Sequence, residues 1–143
     1  MTRKISKRLL EIIDSLPLKN GIRILEIGCG SGAIAREIVS RFDNIYFMGI
    51  DRSQKAIDLA IKCSQPQINR GKLNFLIGKI EEFDLPIGET KFDIAFAIRV
   101  GALDGRHPKI EEESLRRIAK VLKKNGKLFI DGGNPLKEIK IRF

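Results

Sequence analysis

The chain has 143 residues, 43% of them hydrophobic and 31% charged, a length and balance that suit one folded domain and exclude a disordered tail. Its longest apolar run, Ile94 to Ile98, falls far short of the ~18 residues of a membrane span, and two cysteines with one histidine exclude a disulfide scaffold and a multi-histidine metal site. The net charge of +9 sits at the ends, with +3 over residues 1–20, −1 over 21–113 and +7 over 114–143; solvated helix faces or an anionic partner such as nucleic acid would each account for it.

Glu11 and Asp14 interrupt any apolar stretch after the basic N-terminus, so no secretory leader is expected, and with only two cysteines a reducing cytoplasmic setting with no membrane partner is expected. Ile5, Leu9, Ile12, Ile13 and Leu16 form one stripe of an amphipathic helix over residues 3–16, with Arg3, Lys4, Lys7 and Arg8 largely off it. Pro17 and Asn20-Gly21 end that segment. Ile22 to Ile27 reads as a buried strand that runs into glycines. Residues 33–42 return to helical period through Ile34, Ile38 and Phe42. Ile45 to Ile50 is the next strand, after which Ser53 caps a helix lined by Ile57, Ala60 and Ile61.

Leu73 to Ile77 is the third strand, followed by a connection over Gly78–Lys91. Phe92 to Ile98 is almost continuously apolar, as in a parallel strand covered on both faces. Pro108 suits the first turn of a helix, whose inner face is assigned to Leu115, Ile118 and Leu122, with Lys123, Lys124 and Asn125-Gly126 closing it. Lys127 to Asp131 is the fifth strand. Ile139, Ile141 and Phe143 then alternate with polar residues, which predicts a short antiparallel edge strand within residues 132–143. Strands alternating with helices make this one α/β domain over residues 1–143, with a mainly parallel sheet.

The chemistry concentrates at Ile24-Leu-Glu-Ile-Gly-Cys-Gly-Ser-Gly32. In α/β sheets a ligand lies at the carboxyl ends of the strands, and glycines there let the backbone approach it closely. Asp51 ends the second strand, where a carboxylate can accept both hydroxyls of a ribose. Loop and acid together predict a ligand that contains a nucleoside. Gly28, Gly30 and Ala33 also satisfy the looser dinucleotide pattern, so an NAD(P)-binding oxidoreductase is one alternative. Glu26 weighs against it, because a carboxylate repels a pyrophosphate but suits an ammonium and a sulfonium.

These residues resemble the first motif of the class I S-adenosylmethionine-dependent methyltransferases, acid-x-Gly-x-Gly-x-Gly, as Glu26 to Gly32 reads here. The resemblance runs over residues 22–131 and includes Asp51, Phe92-Asp93 and Leu122-Lys-Lys-Asn-Gly-Lys-Leu128. It implies a Rossmann-like three-layer α/β/α fold with sheet order 3-2-1-4-5 and a C-terminal hairpin, here shortened. It implies S-adenosylmethionine as cofactor and methyl transfer to an unidentified acceptor, a small molecule being favoured and RNA or another polyanion left open. By position, Gly28, Cys29, Gly30 and Gly32 would shape the methionine and ribose cavity and Glu26 would face the amino group. Asp51 would hold the ribose, with Arg52 and Ser53 flanking adenine. Lys79-Ile80 stands where the family often has an adenine-binding Asp; lysine cannot accept that hydrogen bond, which leaves the Ile80 backbone and Glu81. Ile98 and Arg99 would close the methionine side.

On the acceptor side, Arg99 to Pro108 leaves the fourth strand and carries the only histidine. His107 is the first candidate base and Asp104 the second, for a nucleophile whose proton must leave; a plain turn at Asp104-Gly105 before a helix is the other reading. Cys29 is read as a small residue between glycines rather than a reactive thiol. A methyltransferase-like protein that binds cofactor or partner without turnover is a further alternative. The short C-terminal segment leaves a sheet edge that residues 139–143 or a second subunit would cover, giving a monomer or a homodimer.

Overall fold

Ser6 starts the described part of the chain on a helix: its hydroxyl accepts the Leu9 N–H at 3.3 Å, so α1 runs from Lys7 to Ser15. The computed structural model describes residues 5–143; Arg3 and Lys4, assigned by the sequence pattern to this helix, lie outside them. Ile12, Ile13 and Leu16 are buried, as the stripe predicts. The elements that follow are β1 (Arg23–Ile27), α2 (Ala33–Ser40), β2 (Tyr46–Asp51), α3 (Gln54–Cys63), α4 (Gln65–Asn69) and β3 (Leu73–Ile77). Then come β4 (Phe92–Ala97), α5 (Pro108–Val121), β5 (Leu122–Asp131) and β6 (Leu136–Ile139). Among the described residues no helix is long and apolar enough to cross a membrane.

The strands form one sheet in the order β3-β2-β1-β4-β5-β6, parallel except for the antiparallel pair β5–β6. The order reverses beside β1, whose neighbours β2 and β4 lead to opposite halves of the sheet, and this opens a crevice at the carboxyl ends. Both faces are covered. Ile24, Phe47 and Phe96 pack with α1, α2 and α3 on one side, while Leu25, Met48 and Leu128 pack with α5 on the other. Side chains alternate along a strand, so Glu26 shares the α2 side of β1 with Ile24.

Several ends shift by a few residues, α1 starting only at Lys7 and α2 stopping at Ser40, and two boundaries differ in a way that matters to the sheet. Leu122 belongs to β5 and not to the preceding helix: its ψ is 144°, yet its N–H still bonds the Ile118 carbonyl and its side chain is 1% exposed. One buried position therefore satisfies both the helical spacing from Ile118 and the first step of a strand. Pairing then jumps from Phe92↔Leu122 to Ile94↔Lys127, so residues 123–126 bulge out of the sheet. The edge strand is Leu136–Ile139, earlier than the alternation over 139–143 suggests. Leu136 and Ile139 are half-buried against the two cores, whereas Phe143 is exposed.

Candidate active site

The glycine loop takes its shape from backbone bonds that only this fold brings together. The N–H groups of Gly28 and Cys29 donate to the Ile50 carbonyl of β2 at 2.8 and 2.9 Å. The Gly30 N–H donates to Asp51 Oδ2 at 2.9 Å, and the Ser53 N–H donates to Asp51 Oδ1 at 2.9 Å. Asp51 thus ties the loop after β1 to the turn after β2, and each of its oxygens keeps a lone pair for a ligand. Gly28 has φ +76°, and a Cβ there would lie 2.8 Å from Val100 Cγ2. Glycine at this position lets the loop after β4 close over the loop after β1.

A cavity of about 450 Å³ opens at these strand ends, within the ~300–1,000 Å³ of small-ligand sites. Gly28, Asp51 and Arg52 form one wall, Lys79, Ile80 and Glu81 a second, and Ile98, Arg99 and His107 a third. Glu81 borders the cavity beside Lys79, so a carboxylate is available where lysine cannot accept. Val100, Gly101, Ala102 and Ile110 also line it; the sequence placed the first three in the segment after β4 without assigning them a role.

Other expected residues do not line the cavity, among them Glu26, which is buried one residue before the Ile27 that does. Gly30 serves through its bond to Asp51, and the Ser53 hydroxyl accepts the Ala56 N–H at 3.2 Å as the cap of α3. Gly32 caps α2 at φ +84°, where a Cβ would meet the Phe75 ring at 2.8 Å. Cys29 packs against Gly49 within the core on the α2 side of the sheet. Burial, reinforced by the Glu26 and Asp51 carboxylates, pushes its thiol far up, so it remains protonated and is no nucleophile. Asp104 lines a neighbouring hollow instead, where the Arg106 N–H, followed by its guanidinium at 2.6 Å, holds its carboxyl below the ordinary range. A carboxylate so stabilised is a weak base, which leaves His107 as the base candidate that borders the cavity.

Glu26 is 3% exposed, and its Oε1 has no hydrogen-bond partner. Burial, with Asp51 adding, raises its pKa well above the ordinary value of 4.5. An unpartnered buried carboxyl oxygen at the root of a ligand loop calls for a donor from outside the chain. Sequence reasoning missed Asp131 at the end of β5: its Oδ1 accepts the Arg99 N–H at 3.0 Å and its Oδ2 meets Arg8 of α1 at 3.5 Å. The signal was available, since Asp131, like Asp51, is an acid at the carboxyl end of a strand.

A family model described as a methyltransferase domain matches residues 18–140. An O-methyltransferase of Aspergillus nomiae is 33% identical, over all of this chain and 60% of that protein. Among solved structures, the cyclase SpnF is 30% identical with a TM-score of 0.67, covering 86% of this chain and 43% of that one. An S-adenosylmethionine-dependent methyltransferase from Thiobacillus denitrificans, in complex with S-adenosyl-L-homocysteine, has a TM-score of 0.68 at 21% identity, covering 88% of this chain and 48% of that one. That last likeness is one of fold. This chain spans less than two thirds of the length of each of these three proteins.

Proposed function

Since this chain belongs to the methyltransferase domain family, we propose that it binds S-adenosylmethionine and transfers its methyl group to an oxygen of a small-molecule acceptor. One observation carries the cofactor: two carboxylates, Glu26 and Asp51, flank the glycine loop, and the buried Oε1 of Glu26 lacks a partner. That arrangement suits a ligand whose ammonium can donate to the buried oxygen and whose ribose diol reaches Asp51, whereas a pyrophosphate has no proton to donate to it. It sets the dinucleotide alternative aside. The O-methyltransferase relative supports oxygen as the accepting atom.

The residues present fit the cofactor. Glu26 would receive the amino group, directly or through a water, and Asp51 the ribose hydroxyls through its free lone pairs. Glu81 and the Ile80 backbone would meet the adenine edge, with Arg52 flanking it. The cofactor supplies an electrophilic methyl group that a nucleophile takes by in-line displacement. The protein's share is then mainly placement, which supplies much of the rate in such reactions. His107, on the cavity wall at the start of α5, would accept the proton of an acceptor hydroxyl. Asp131 would keep the Arg99 turn in place beside it.

Calorimetric titration with S-adenosylhomocysteine and with NADH tests the reading. Saturable binding of the first and none of the second is expected. Binding of NADH alone would overturn the proposal. The likeness to SpnF favours one second reading, in which the fold positions a substrate for a reaction other than methyl transfer. Cofactor binding with no methyl transfer to any hydroxylated acceptor would select it.

A further inference from the structure

Beside the cofactor cavity lies a second hollow of about 540 Å³, at the carboxyl ends of β4 and β5 and the start of β6. Arg99 and Arg106 line both spaces, so the two communicate across a pair of guanidinium groups. Leu103, Ile130 and Ile139 give the second hollow an apolar side suited to a carbon skeleton.

Its charged groups divide by whether they are already answered. Asp104 is held by Arg106 at 2.6 Å. Asp131 accepts the Arg99 backbone N–H and meets Arg8. That leaves two cations, the Arg99 guanidinium and the Lys137 ammonium, with no ion-pair partner among the described residues, and they face one unpaired acid, Glu111. The fold places the two cations together. Ala97, Ile130 and Lys137 sit side by side on β4, β5 and β6, and Arg99 leaves β4 two residues beyond Ala97. Lys137 lays its Cε 3.8 Å from where a Cβ on Gly132 would stand, so its stem runs along the rim.

Arg99 is also the one non-glycine residue with positive φ, +57°, among the described residues. A long side chain held in the left-handed region is strained, and such positions gather at ligand sites. Asp131 holds that conformation through the Arg99 N–H. The Arg99 backbone is thereby fixed at the junction of the two spaces, and its exposed side chain carries a planar fork that matches a carboxylate or phosphate.

We propose that the second hollow seats the methyl acceptor and selects one that carries an anionic group, received by Arg99 and Lys137. The word acceptor rests on the methyl-transfer reading above; the anion site stands on the hollow itself. The nucleophilic end of such a molecule points to the cofactor cavity past Arg99 and Arg106, and its charged end lies toward β6.

The test titrates the full chain, alone and with S-adenosylhomocysteine, with benzoate and with its neutral counterpart benzyl alcohol, read by amide chemical shifts at Gly105 and Gly132. Benzoate is expected to bind at least tenfold tighter than benzyl alcohol. Lys137→Met is expected to erase most of that preference with S-adenosylhomocysteine affinity unchanged, because Lys137 borders only the second hollow. Glu111→Gln is expected to keep or raise it. Equal affinity for the two probes, no binding of benzoate, or a preference that survives in both Lys137→Met and Arg99→Met would overturn the proposal. Loss of S-adenosylhomocysteine binding with benzoate selectivity intact would instead overturn the cofactor reading and spare the anion site.

Discussion

At the amino ends of β1 and β2, Arg23 lies 4.3 Å over the Tyr46 ring and reaches Glu89 at 3.0 Å, while the Tyr46 hydroxyl donates to the same carboxylate at 3.0 Å. The Arg23 N–H and the Lys123 ammonium both answer Asp93, at 2.8 and 3.1 Å. Burial, then the bond to Glu89, pushes the Tyr46 hydroxyl up to about 12, so it stays a donor. At the carboxyl ends of the same sheet, Glu26 keeps an unpartnered oxygen, Arg99 sits at positive φ, and Arg99 and Lys137 have no ion-pair partner among the described residues. The cluster around Arg23 spends its polar groups on one another, although the buried Gln67 Oε1 just before β3 has no partner; at the other end Asp104 and Asp131 are answered, while Glu26, Arg99 and Lys137 are not. Local departures from full satisfaction mark the working end of a fold whose remainder supplies the rigidity.

The contrast breaks if variants at the two ends behave alike. The largest effect is expected for Asp51→Ala, which removes the ribose acceptor and the support of the Gly30 and Ser53 N–H groups. S-adenosylhomocysteine affinity should fall on the order of 100-fold, as for one or two charge-assisted hydrogen bonds at about 1–3 kcal/mol each. Calorimetric titration measures it, and an affinity within threefold of the parent protein would mean that the ribose is held elsewhere.

Arg23→Ala should do the reverse. It strips the stacking on Tyr46 and leaves a half-buried Glu89 short of its cation, so unfolding in urea should show a loss of about 1–3 kcal/mol. Ligand affinity should stay within twofold. A variant that loses cofactor while keeping its stability would erase the distinction between the ends.

Glu26→Gln should give the smallest and most diagnostic change. Because the folded-state pKa of Glu26 is raised above 4.5, the native protein holds a proton over a range where the unfolded chain has released it. The resulting stability is fully present below about pH 4.5 and is lost as pH climbs through the folded pKa. Glu26→Gln removes this slope, so the melting temperature should vary less with pH above about 4.5 than in the parent. In the parent, affinity for a cationic ligand should rise over the same range, as Glu26 ionises, and in the variant it should not. Equal pH slopes in the two proteins would show that the buried oxygen has no part in binding.

Much of this molecule was legible from local pattern. Period-two and period-3.6 runs located the first five strands and the main helices, because each records which side chains one element must bury. The alternate glycines with Glu26 and Asp51 marked the ligand loop, since close backbone approach and a strand-end acid are both local requirements. Leu122 misled because a buried leucine four residues after Ile118 fits a helix as well as a strand start. Gln65-Pro66-Gln67, with no apolar stripe, gave no sign of α4.

By itself the sequence determined the order of elements, the glycine loop and the two acids around it, because spacing along one or two segments suffices for these. Only the tertiary structure decided the rest. It orphaned the Glu26 oxygen in the core and turned Asp104 away from the cavity that His107 borders. It also set Asp131 under Arg99 and brought Lys137 to the same rim from a strand 38 positions along the chain. Those relations depend on which strands become neighbours and where their ends fall, and sheet order and register join residues that no local period connects.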